Sequence, residues 1–276
     1  FELGDLWPAS IAAVGVMKKS LALTLVEKLE LFLYRRSSHI AVLTSSFREN
    51  LVTRGIDKNK ISVVINGVDL TRYEPRARDV NLTKEWGLEN KFIIGYIGTH
   101  GMAHALSNVL KAAEIMQDND TIRFLFVGAG AERSKLIEHA EKHALNNVVF
   151  MPRQPKEKMP AIWSLCDVAL VHLKNSPIFS EVIPSKIFEA QAMGLPIILA
   201  APKGEASRII LNDKSGMHVP AEDPAALANG INQLAGDKLA LEAFAAAALR
   251  AAPDHSRETQ AHEMLNVFEN TLRERP

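Results

Sequence analysis

The sequence predicts an α/β protein with parallel sheets covered by helices on both faces. Three observations carry this. Short apolar runs alternate regularly with helical stretches along most of the 276 residues. The runs are apolar throughout instead of alternating with polar residues, as strands buried on both faces require. Glycine-containing loops follow the first two strands of the most regular part.

Residues 10–36 read as helical, with Leu21, Leu25, Leu29 and Phe32 near helical spacing and basic pairs Lys18–Lys19 and Arg35–Arg36 at either end. An ordinary core-facing helix with solvated ends is the favoured reading. A basic, apolar helix resting on an anionic membrane surface is the other. His39–Thr44 is a short β-rich run. Ser45 and Ser46 then cap a helix to about Arg54, and Gly55 stops it. Ile61–Ile65 is a second strand, closed by Asn66–Gly67. The polar, mixed-charge stretch from Pro75 to Thr83 reads as a linker.

Beyond the linker the alternation is regular. Strands are predicted at Phe92–Ile97, Ile122–Val127, Val148–Met151, Val168–Leu173, Ile197–Ala201 and Met217–Val219. Helices are predicted at about His104–Met116, up to about His143, Met159–Leu165, Pro184–Met193 and Glu205–Leu211. Gly194 caps one of them, and Asp223–Pro224 opens another in the favoured cap-then-proline order. The alanine-rich stretch 240–252 suits a helix and carries no chemistry.

Composition narrows the function. Thirty-two basic residues balance 32 acidic ones, which excludes nucleic-acid binding driven by bulk positive charge. One cysteine, Cys166, excludes an intrachain disulfide and a thiolate metal cluster, and suits a reducing compartment. The longest early uncharged apolar stretch, Leu6–Met17, is short of the ~18–20 residues of a spanning helix. The chain opens on Phe1 rather than methionine, and is expected to be a fragment or processed product.

The residues richest in chemistry run from Glu181 through Pro184-Ser-Lys186 to Glu189 and on to Gly194-Leu-Pro196. Pro184 suits a first helical turn, where its missing N–H costs nothing. The free N–H groups of Ser185, Lys186 and Ile187, with the lysine ammonium, would suit a diphosphate. Glu189 lies three residues after Lys186, on the same side of a helix. There it can accept two hydrogen bonds from vicinal ribose hydroxyls, while Glu181 can face a sugar. From spacing alone, a surface Lys–Glu pair on an amphipathic helix stays equally open.

This stretch resembles the E-x7-E segment of family 4 retaining glycosyltransferases, with its Pro-Ser-Lys-x-x-Glu-Ala core. The resemblance extends along the chain. Ser62–Asp69 carries Asn-Gly-Val-Asp, Phe126–Glu132 a glycine loop, Phe150–Arg153 through Cys166–Val171 a strand–helix–strand, and Gly216–Pro220 with Asp223–Pro224 a late strand and helix start. Asp5-Leu-Trp-Pro8 is similar to a segment of bacterial surface-polysaccharide transferases of the O-antigen and capsule type.

The resemblance implies a GT-B fold of two Rossmann-like domains with parallel sheets, the first only partly present. Residues 1–73 would close the acceptor-side domain, 74–254 would bind the donor, and 255–276 would return as a helix to the first domain. It implies transfer, with retention, of a hexosyl or N-acetylhexosaminyl unit from a UDP-sugar to a saccharide or lipid-linked acceptor. That chemistry is expected in the cytoplasm, at the inner membrane face with peripheral membrane contact, without metal or cofactor. Glu181 and Lys186 would be catalytic. Donor contacts would come from Ile183, Pro184, Ser185 and Glu189, from Gly98, His100 and Gly101, from Gly128 and Gly130, and from Arg153. The loop Gly98–His104 lacks the arginine and lysine common in the family, so backbone amides around Gly101 and the His100 side chain are expected to substitute. A nucleotide-sugar 2-epimerase and a non-catalytic nucleotide-sugar-binding domain are the alternatives.

Weaker signals read as structure. Gly128-Ala-Gly130-Ala-Glu-Arg133 breaks the dinucleotide fingerprint at its third glycine. The pairs His100/His104 and His139/His143 lack a third ligand and an open site, so no metal is expected, and His139 and His143 read as a solvated helix face. Cys166, Trp7 and Trp86 read as packing residues.

Overall fold

The computed structural model describes residues 1–6 and 21–273. The expectations that rest on Trp7, Pro8 and Lys18–Lys19 lie outside the described residues. Two parallel sheets organise the chain. The first has strands β1 (Glu2–Leu3), β2 (Ile40–Val42) and β3 (Ile61–Val63), in that order. Helices α1 (Leu21–Arg36) and α2 (Ser45–Thr53) accompany it.

Local chemistry sets these elements. The cap of α2 is Thr44 rather than Ser45 or Ser46: its Oγ1 accepts from the Phe47 N–H at 3.1 Å, leaving the serines inside the first turn. Ser46 then serves another contact, described below. Helix α1 departs from the core-facing reading. Tyr34 is buried, but Leu25, Leu29 and Phe32 are 66%, 57% and 55% exposed. Their stripe lies on the face away from the small core of Leu3, Leu6, Ile40, Val42, Phe47, Leu51 and Ile61.

The second sheet has six strands: β4 (Phe92–Ile97), β5 (Ile122–Val127), β6 (Val148–Met151), β7 (Val168–His172), β8 (Ile197–Ala200) and β9 (Gly216–Val219). All pairings are parallel, in the order β6-β5-β4-β7-β8-β9. Successive residues of each strand feed opposite layers. Ile93, Leu125, Ala169 and Leu199 join one buried cluster, whereas Ile94, Phe124, Val168 and Ile198 join the other. Both faces are therefore covered, which explains strands apolar at every position.

The helices of this domain are α3 (Val80–Glu85), α4 (Ser107–Ile115), α5 (Arg133–Lys142), α6 (Met159–Trp163), α7 (Lys186–Ala192), α8 (Glu205–Asn212), α9 (Pro224–Gly236), α10 (Lys238–Ala251) and α11 (Arg257–Arg273). Helix α3 begins within the expected linker. Asp79 caps it, accepting from the Leu82 N–H at 2.9 Å, and Leu82 and Trp86 pack on the core. Arg78 anchors the same segment through a 2.6 Å ion pair with Asp167. Helix α7 starts at Lys186, so Pro184 lies just before it. The Ile187 N–H bonds the Pro184 carbonyl at 3.0 Å and is not free for a ligand.

Two seams join the sheets. The Glu205 carboxylate accepts from the Ser46 N–H at 2.7 Å and from its hydroxyl at 2.6 Å. Past β3, Val68 pairs with Ser256 beside the start of α11, and Gln260 accepts from the Gly67 N–H at 3.0 Å. Gly67 is needed here, because a Cβ would lie 2.3 Å from the Ser256 carbonyl oxygen.

Candidate functional site

The order β6-β5-β4-β7-β8-β9 reverses between β4 and β7. The loops leaving these two strands turn to opposite faces and open a crevice at their carboxyl ends, the usual ligand position in open α/β sheets. A cavity of about 1160 Å³ lies there. Its walls come from Gly98 and Thr99 after β4, Gly128 and Ala129 after β5, Arg153–Lys156 after β6, and Pro184–Lys186 with Glu189 at α7. The segment Gly67–Tyr73 and Arg257 close it from the side of the first sheet.

Lys186 is the most constrained group in this wall. Its Nζ is buried and makes no hydrogen bond among the described residues. It lies 3.8 Å from the centroid of the Tyr96 ring. Gly98 has φ +141°, which favours glycine, and a Cβ there would sit 2.8 Å from Nζ and push the lysine tip aside. Burial pushes the ammonium's pKa down to about 7, with Glu189 pulling weakly the other way. A buried cation without a hydrogen-bond acceptor is costly. An anion in the cavity would relieve it.

Glu189 is held by residues far away in sequence. Trp163 Nε1 donates to its Oε2 at 3.1 Å, and the Tyr73 side chain lies near the same carboxylate. Burial raises its pKa above the usual carboxylate value, against the pull of Trp163, Lys186 and Tyr73. The carboxylate is thus oriented by the Trp163 indole and keeps acceptor capacity toward the cavity.

The glycine loops interlock. A Cβ at Gly128 would lie 1.9 Å from the Gly98 carbonyl oxygen, and one at Gly130 would lie 2.4 Å from that of His100. The His100 N–H bonds the Ala129 carbonyl at 2.9 Å, and the Glu132 N–H bonds the His100 carbonyl at 3.0 Å. The two loops therefore act as one rigid wall. His100 itself departs from expectation. Its imidazole turns beneath the loop, fully buried, among Tyr96, Phe126 and Phe150 at ring distances of 5.9–6.3 Å. Burial, then the nearby Arg133 and Lys186, hold its pKa near 4. A neutral ring facing an aromatic cluster supplies no charge to the cavity. Gly101, Gly130 and Ile183 likewise stand outside the lining.

Glu181 also stands outside the cavity wall. It lies at the seam between the sheets, where the adjoining Val182 packs on the cores of both. Burial, then Glu205 and Glu49, raise its pKa, and its Oε2 is buried without a hydrogen-bond partner among the described residues. Arg153 is exposed on the cavity rim. Cys166 is a core thiol against Gly95, with burial raising its pKa.

Several lining residues escape sequence reasoning. Tyr73 falls at the end of the expected first domain, four residues after Asp69. Trp163, in the short helix α6, is fully buried behind the wall and acts on it through Glu189. His104, half-buried, exchanges ring-to-carbonyl contacts with the buried His172, at 3.3 and 2.7 Å, and burial holds both pKa values near 4. The Asn-Gly-Val-Asp motif pointed toward the Gly67–Asp69 part of this wall.

A doubly wound sheet with a cavity at its switch point defines a class of α/β protein that holds its ligand at the carboxyl ends of the strands. Comparison with known proteins narrows this: the chain belongs to the glycosyl transferases group 1 family, whose profile matches residues 80–250. "Probable glycosyltransferase WbjE" of Pseudomonas aeruginosa is 28% identical over 240 residues, 83% of this chain and 58% of that protein. A D-inositol 3-phosphate glycosyltransferase of Rhodococcus jostii (strain RHA1) is 30% identical over 243 residues, 84% of this chain and 52% of that protein. The chain thus spans a little over half the length of these relatives. Anabaena Alr3699/HepE, solved in complex with UDP, superposes with a TM-score of 0.82 at 19% identity over 98% of this chain and 71% of its own. The two parallel sheets are those of the GT-B fold.

Proposed function

We propose that this chain carries the donor site of a retaining glycosyltransferase that takes a sugar from a UDP-sugar. One observation carries the reading most directly: Lys186 and Glu189 face one cavity at the switch point, the first a buried cation lacking an acceptor. In this reading the diphosphate lies against Lys186 and the Gly98–Thr99 backbone. The ribose hydroxyls donate to Glu189, fixed by Trp163. Arg153 reaches the base from the rim. The sugar points toward the seam, where Glu181 stands.

The chain's groups then act by positioning and charge. As the bond to the leaving diphosphate breaks, negative charge grows on its oxygen. Lys186 and the glycine-loop amides are preorganised where that charge develops, so they stabilise the transition state without reorganising. UDP in HepE supports the choice of nucleotide. The acceptor, a saccharide or lipid-linked saccharide of a surface polysaccharide made at the cytoplasmic membrane face, rests on the motif resemblance. Among the described residues no helix is long and apolar enough to cross a membrane.

The test is conversion of radiolabelled UDP-glucose and UDP-N-acetylglucosamine, with and without lipid-linked saccharide. It uses the chain alone and the chain extended to the full length of its relatives. Sugar transfer supports the proposal. Isomerisation of the donor without transfer would assign an epimerase instead, and saturable binding without turnover in either form would assign a binding domain.

A further inference from the structure

We propose that Glu114, His139 and His143 form a binding site for a divalent transition-metal ion of the zinc and nickel class, separate from the donor cavity. The sequence offers a histidine pair one helical turn apart, with no third ligand near it. The fold supplies that ligand from α4. Each of the three residues offers one ligand atom, and these atoms lie within 4.8 Å of one another. His139 Nε2 is 2.5 Å from Glu114 Oε1. His143 Nδ1 is 3.1 Å from Glu114 Oε1 and 3.1 Å from His139 Nε2.

Hydrogen bonding alone does not satisfy this triangle. A neutral imidazole carries one N–H, so both nitrogens cannot donate to Glu114 and also bond each other. One ion at the centre satisfies all three atoms together. Tetrahedral zinc, with ligand bonds of ~2.0–2.1 Å, spaces its ligand atoms about 3.3 Å apart. The 3.1 Å edges need only tenths of an ångström, and the shortest edge needs more. The three side chains are 30–40% exposed, so they have room to adjust and leave a position open for water. Two imidazoles and a carboxylate suit zinc, nickel or cobalt better than magnesium or calcium.

The backbone adds to the attraction. Glu114 is in the last turn of α4, His139 is in the last turn of α5, and His143 is the C-cap of α5. Two helix carboxyl ends, each partly negative, thus converge on the cation. Both helices run back against parallel strands, so this spot lies at the strands' amino ends, opposite the cavity. The ion would staple α4 to α5 without touching the donor.

The test uses chelator-treated chain without a polyhistidine tag, titrated calorimetrically with Zn²⁺, with Co²⁺ visible absorption and thermal unfolding as parallel readouts. The expected result is one ion per chain, tetrahedral-type Co²⁺ bands, and a Tm that rises with Zn²⁺ concentration. His143→Ala and Glu114→Gln should each weaken binding at least about tenfold, with affinity for UDP unchanged. Absence of saturable binding would overturn the proposal. So would full binding by His139→Ala/His143→Ala, or by Glu114→Gln.

Discussion

The Nζ atom of Lys186 lies 3.8 Å from the centroid of the Tyr96 ring, buried and without a hydrogen-bond acceptor. The ring face offers the cation some compensation, but less than a carboxylate or phosphate would. Glu189, one turn further along α7, turns its carboxylate to the Trp163 indole instead. The lysine is therefore poised for something that is not protein.

Replacing Lys186 separates binding from stability. A hydrogen bond to a charged group contributes about 1.5–3 kcal/mol. Lys186→Met should therefore weaken UDP ~10–100-fold in calorimetry. It should not lower Tm, because an apolar side chain removes an unpaired buried cation. A fall in Tm with unchanged UDP affinity would assign the lysine to the fold instead.

The depressed pKa of Lys186 fixes a proton linkage. Its pKa is about 7 in the fold against 10.5 ordinarily. Between those values the unfolded chain holds more protons than the folded one, so this residue's contribution makes stability rise with pH. Bound diphosphate favours the ammonium. UDP binding near pH 8.5 should therefore take up as much as about one proton. Calorimetry in buffers of different ionisation enthalpy measures this, and Lys186→Met should abolish it.

The orientation of Glu189 can be tested through Trp163. Trp163→Phe removes the indole N–H and leaves a buried acceptor short of a donor, a loss of about 1–3 kcal/mol. UDP affinity should fall by a similar factor to Tm-derived stability, while Tyr73→Phe gives a second, partly overlapping loss. No change in UDP binding for either variant would detach Glu189 from the ribose.

Gly128→Ala probes the interlocked loops. Its Cβ would lie 1.9 Å from the Gly98 carbonyl oxygen, a backbone atom that cannot swing aside. The loops must separate, and the variant should lose ~2–4 kcal/mol in denaturant unfolding, as severe steric substitutions do. UDP binding should weaken with it.

Much of the fold was legible in residue order. Strands β4, β5 and β6 keep the boundaries read from their apolar runs, because both faces of the sheet are buried and register tolerates no slip. Asp223 and Pro224 open α9 in the order read, with Asp223 as cap. Short-range competition blurred other places. Thr44 outcompetes two adjacent serines for the α2 cap, and Asp79 nucleates a helix inside a polar stretch. The cavity was legible on the α7 side and, through Gly98, Gly128 and Arg153, at the ends of β4, β5 and β6. Tyr73 and Arg257 reach it, and Trp163 braces Glu189 behind it, through tertiary contacts spanning up to two-thirds of the chain, which no local pattern encodes. His100 was misplaced for a related reason: its ring is drawn under the loop by Phe126 and Phe150, on strands that become neighbours only in the folded sheet.

The central claim is that Glu189 and Lys186 hold the nucleotide rather than the sugar. Calorimetric titration of UDP into wild-type chain and Glu189→Gln tests it most directly. The account predicts one UDP per chain for the wild type and an affinity at least about tenfold weaker for the variant. Equal affinity of both chains for UDP, with loss appearing only for the intact UDP-sugar, would contradict it.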